Sequence, residues 1–115
     1  MTYSLKRVLA LEEEINANLS LFVYPSPKLI QQCKDSGIRI KKDRLLQIDR
    51  GDYIKDERNI FCMFYLPEYK KSVFTSIVNL IFKGEGQLIE NIKIFKFSRQ
   101  NNIEKQETLK WQKKP

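Results

Sequence analysis

Apolar positions recur along the chain in blocks, and the spacing within each block predicts an element. Leu5, Val8, Leu9, Ile15 and Leu19 follow helical spacing, with Glu12 as one charged interruption. Ser4 stands where an N-cap belongs, so a helix is predicted from there to about Asn18. Leu21–Tyr24 is a short β-prone run closed by Pro25. Ser26-Pro27 then opens a second helix, with Ser as cap and Pro at the first helical position, where its missing N–H costs nothing. That helix runs to Ser36 and turns its Leu29, Ile30 and Cys33 inward; Gly37 supplies the left-handed residue at its end.

Strand-like periods follow. Ile38–Lys41 alternates apolar with basic residues, and Leu46–Asp49 alternates after a charged corner. Asp49-Arg50-Gly51-Asp52 reads as a turn. Asn59–Leu66 is apolar on both faces, the mark of a central strand, and Pro67 stops it. Over 68–83, Tyr69, Val73, Ile77 and Ile81 recur every fourth residue, which favours a helix; the many β-branched residues leave a strand and hairpin as the alternative. Ile89–Ser98 reads as a final strand, with Ile92 and Ile94 on one face and Phe95 and Phe97 on the other.

The order predicts an α+β fold. It is a four-stranded antiparallel sheet with two helices on one face, the ferredoxin-like or split βαβ arrangement, preceded by an N-terminal amphipathic helix. A strand over 72–83 would make the fold richer in sheet. Residues 1–98 form one domain, with the helix at 4–18 and the sheet domain at 20–98, and 99–115 form a basic tail, disordered or helical on contact. A length of 115 residues fits one domain and leaves little room for two.

Charge adds a function class. The net charge is +7, with the first 27 residues weakly acidic and the remainder basic. Arg39, Lys41, Lys42 and Arg44 form the densest basic cluster, and Lys93 and Lys96 add to it. Such groups neutralise phosphates in a salt-dependent, sequence-blind way. Phe22 and Tyr24 in one strand, and Phe61 and Tyr65 in another, are candidates for stacking bases on an open sheet face.

The chemistry that is missing narrows the reading further. There is no histidine, the commonest acid–base residue, and Cys33 and Cys62 have no metal-ligand spacing. Both thiols suit a core. The acids around Gly51 depart from a calcium loop, and no glycine-rich phosphate cradle exists. The chain is therefore expected to be neither an enzyme nor a cofactor carrier. With no apolar run near the roughly 18–20 residues that span a bilayer, no membrane insertion is expected, and a cytoplasmic location is.

Leu21-Phe22-Val23-Tyr24-Pro25-Ser26-Pro27 resembles the first signature strand of RNA-recognition-motif domains, and Arg58–Leu66 stands where their second would be. That resemblance implies single-stranded RNA across the sheet, stacked on Phe22 and on Phe61 or Tyr65. Arg58-Asn59-Ile60 departs from the pattern, lacking its glycine and its aromatic residue.

Two functions follow as expectations. The first is a non-enzymatic protein-interaction module, a subunit or adaptor that docks on another protein or on a second copy through Glu12, Glu13 and Trp111. The second is a basic module for RNA or single strands.

Overall fold

The computed structural model describes residues 4–113, with side chains described over 4–100. Helix α1 (Leu5–Ala17) starts where the Ser4 hydroxyl accepts the Arg7 N–H at 3.3 Å. Its buried stripe is Val8, Leu11 and Ile15, so Leu5 and Leu9 face outward. Strand β1 (Leu21–Pro25) leads into α2 (Pro27–Asp35), which Ser26 caps by accepting the Leu29 N–H at 3.2 Å. Gly37 takes φ +81° just beyond it, a conformation that costs glycine little.

Five strands form one antiparallel sheet in the order β4-β3-β2-β1-β5, curled into a half-barrel. They are β1, β2 (Leu46–Ile54), β3 (Asn59–Leu66), β4 (Lys71–Ser76) and β5 (Leu80–Phe82). A 3₁₀ turn, Ile77–Asn79, carries the chain from β4 to β5 at the opposite edge. The last element, α3, spans Gln87–Lys113.

This corrects the four-stranded, ferredoxin-like arrangement with two helices on one face. Residues 68–83 hold β4, the 3₁₀ turn and β5 rather than a helix. Here cross-strand pairing of the β-branched residues outweighs their fourfold recurrence. Ile89–Ser98 lies in α3 rather than a strand. Ile89, Ile92 and Phe95 are buried at threefold spacing, a helical stripe, and Ile94 and Phe97 are left exposed. Ile38–Lys41 is a loop. Its Ile38 and Ile40 are buried, and the Tyr69 hydroxyl, not a strand, accepts the Arg39 N–H at 2.9 Å.

Asp49–Asp52 is not a turn but the middle of β2, where the register slips between Ile48 and Arg50. Gly51 serves a close approach. A Cβ there would lie 3.2 Å from Cγ2 of Ile15 on α1, inside comfortable contact.

The concave face of the sheet is the core. Val23, Leu46, Ile48, Ile60, Cys62, Phe64, Leu66 and Leu80 are buried there beneath α1, α2 and α3. Pairing of β1 with β2 ends at Leu21↔Ile48, yet β2 continues to Ile54. Helix α1 takes over this bare edge. The Asn16 side chain donates to the Gly51 carbonyl at 2.7 Å and accepts the Gly51 N–H at 2.9 Å, and the Glu12 carboxylate accepts the Tyr53 N–H. One helix thus satisfies backbone groups that would otherwise be stranded against the core.

Candidate docking surface

Residues directly opposite one another in paired strands point to the same face. Ile81 lies opposite Tyr24, and Phe22 opposite Gln47; Arg50, Met63 and Phe74 form one row, Asp52, Phe61 and Ser76 another, and Tyr65 lies opposite Ser72. All of these project from the convex face, away from the core. Phe22, Tyr65, Phe74 and Ile81 are 41%, 50%, 46% and 49% exposed. Phe61 and Phe74 stack, with ring centroids 5.3 Å apart and planes at 27°. The convex face therefore carries exposed apolar side chains on β1, β5, β3 and β4, with polar Gln47, Arg50 and Asp52 of β2 between them.

The charges on this face are mixed. Arg50 pairs with Asp52 at 2.9 Å, and Asp49 is exposed beside them at the bulge.

The basic cluster lies elsewhere. Arg39, Lys41 and Lys42 are exposed on the loop before β2. That loop is tied to the β3–β4 turn by Tyr69 and by a two-pronged Arg44–Glu68 pair at 2.5 and 3.1 Å. Hydrogen bonding to Arg44 holds the Glu68 carboxyl below its ordinary range. The same turn carries Lys70 and leads into Lys71, so two basic runs separate in sequence meet at one end of the sheet.

The remaining residues singled out from sequence are spread apart. Phe22 and Tyr65 share the convex face, on β1 and β3, with β2 between them. Lys93 is exposed on α3, 3.6 Å from Glu90. Lys96 donates to the Leu80 carbonyl at 2.5 Å, and burial, then the charge of Lys93, lowers its pKa. Glu12 is engaged with β2, Glu13 is exposed, and Trp111 lies outside the residues whose side chains are described.

Sequence reasoning placed Phe22, Tyr24, Phe61 and Tyr65 on one open face but did not add Met63, Phe74 and Ile81 to it. The signal for it was the alternation Phe61-Met63-Tyr65 against Ile60-Cys62-Phe64-Leu66, together with β4 read as a strand.

Burial pushes both thiols up, Cys62 to about 12 with Asp52 adding to the effect, so neither is a ready nucleophile. No group of three or more Cys, Asp or Glu side chains among the described residues could hold a metal ion. No described helix is long and apolar enough to cross a membrane. No protein-family model, no curated protein and no solved structure matches the chain.

Proposed function

We propose that the protein is a non-enzymatic interaction module that docks another protein on the convex face of its sheet. The observation that carries this reading is the set of exposed Phe22, Tyr65, Phe74 and Ile81, with half-buried Tyr24 and Met63, on the face of the sheet opposite the core. Exposed apolar side chains grouped on both sides of β2, whose Gln47, Arg50 and Asp52 lie between them, suit a protein interface with a polar centre. Aromatic residues and Met are enriched at protein interfaces, and the Arg50–Asp52 pair supplies a polar element with no excess of positive charge.

A second reading rests on a different observation. Arg39, Lys41 and Lys42 gather with Lys70 and Lys71 at one end of the sheet, a setting suited to a polyanion.

Two sets of variants separate the readings. Tyr65→Lys with Ile81→Lys alters the docking face, and charge reversal at Arg39, Lys41 and Lys42 alters the basic end. The docking reading expects the first set to abolish co-purification of a stoichiometric protein partner, or self-association in sedimentation, while the second leaves both intact. Salt-sensitive retention on an oligonucleotide column, lost only in the second set, would replace it with the nucleic-acid reading.

A further inference from the structure

The Phe61–Phe74 pair, whose Phe74 also belongs to the docking face, opens at one end on a cleft. It encloses about 330 Å³ where β3 and β4 meet α2, the 3₁₀ turn and α3. The two stacked rings line it, and Lys28 of α2 and Arg99 of α3 line it as well. Glu57 is its one acidic residue, which leaves a single positive charge in excess.

The amide side chains of the cleft are already committed. Asn59 donates to the Ser76 hydroxyl at 2.6 Å and accepts the Ile60 N–H at 2.8 Å, and Asn79 donates to Thr75 at 3.0 Å. They brace the wall rather than wait for a ligand. Arg99 differs: its Nε is shielded from solvent and has no acceptor among the described residues. A buried donor without an acceptor is costly, so Arg99 gains by turning its guanidinium toward an anion in the cleft.

What the cleft offers is therefore a flat apolar ring surface beside two cations, one with a shielded, unsatisfied N–H. A ligand matching it carries a planar aromatic group and a compact anion. We infer that the cleft binds a single nucleotide, with its base against the ring pair and its phosphate between Arg99 and Lys28. The volume falls within the roughly 300–1,000 Å³ of small-molecule sites. A guanidinium suits phosphate, and aromatic rings stack bases of any sequence. The single excess charge favours a monophosphate over a triphosphate. This inference goes beyond the docking reading and does not depend on it.

The test is a titration of isotope-labelled protein with AMP and with UMP, followed through backbone amide shifts. Saturable shifts are expected at Phe61, Phe74, Ser76, Asn79 and Arg99. Adenosine alone and inorganic phosphate alone should bind about tenfold more weakly or less, since each makes only half of the contacts. Arg99→Gln and Phe74→Leu should each raise Kd about tenfold with the melting temperature kept. Lys28→Gln, an exposed position, gives the same reading should either variant fail to fold. A tetranucleotide that binds more tightly than the mononucleotide identifies the ligand as part of a strand; equal or weaker binding identifies a free nucleotide. The inference is overturned by the absence of saturable shifts at about 10 mM nucleotide, above the Kd of even a weak specific site. Binding that the variants leave unchanged overturns it too. Neither result touches the docking reading, which is tested through Tyr65 and Ile81.

Discussion

Gly51 shows how one residue can be read correctly as special and wrongly as to why. Glycine beside two aspartates has the composition of a turn. Here it lies inside β2, and its missing Cβ lets Ile15 of α1 close on the strand. Gly51→Ala should destabilise the fold by about 1–3 kcal/mol, the range for overpacking a filled site. Ile15→Ala, which removes the clashing Cγ2, should cost less stability in the Gly51→Ala chain than in the native one if it is a clash with Ile15 that matters. Denaturant melts of the single and double variants check both. Lys70 is a second residue-scale case: it holds φ +51° in the β3–β4 turn, where a side chain is strained. Lys70→Gly should therefore raise stability by up to about 1 kcal/mol, read in the same melts. Cys62 gives a pH dependence. Its folded thiol stays protonated up to about 12, while the unfolded thiol ionises near 9.0. The folded state holds the extra proton between those values, so stability is unaffected below about pH 8 and falls as pH rises above 9. The fall attributable to Cys62 approaches about 1.4 kcal/mol per pH unit. Cys62→Ala should flatten that slope in melts between pH 8 and 10.5, whatever it costs at neutral pH.

Among the elements, α1 does more than cover the core. Asn16 and Glu12, one helical turn apart, stand in for the strand that β2 lacks beyond Leu21. Asn16→Ala strands both the N–H and the carbonyl of Gly51, and should cost about 1–3 kcal/mol, more than a surface asparagine would. Hydrogen exchange at the amides of Gly51 and Tyr53 should rise with it, while that of Phe64 in the sheet centre stays slow. What was legible in the sequence follows from local chemistry: α1, α2 and β3 are each marked by caps, prolines or unbroken apolar runs close to their ends. What was not legible depends on partners distant in sequence. Val73–Thr75 becomes a strand because β3 lies alongside, and Ile89–Phe95 becomes a helix because it packs on α1 with Ile92 and Phe95 in the common core. Apolar residues every second and every third position overlap in Ile89–Phe97, and only the burial of Ile92 with Phe95 decides between them.

For the whole molecule, the half-barrel divides surface labour. The concave side is filled by three helices, the convex side carries aromatic residues in water, and one end of the sheet gathers Arg39, Lys41, Lys42, Lys70 and Lys71. The net charge of +7 could be read from composition, whereas this gathering needed the loop 37–45 to fold against the β3–β4 turn. The convex surface was partly foreshadowed by Phe22 and Tyr65, but the ring pair Phe61–Phe74 appears only with the true register of β4. Hydroxyl-radical footprinting tests the central claim most directly, because it labels Phe, Tyr and Met side chains where they meet water. The purified chain should label readily at Phe22, Met63, Tyr65 and Phe74, and those four positions should become protected together when the chain is assembled with its protein partner or concentrated into its own oligomer. Unchanged labelling there, with protection appearing only around Arg39–Arg44 on adding nucleic acid, would contradict it.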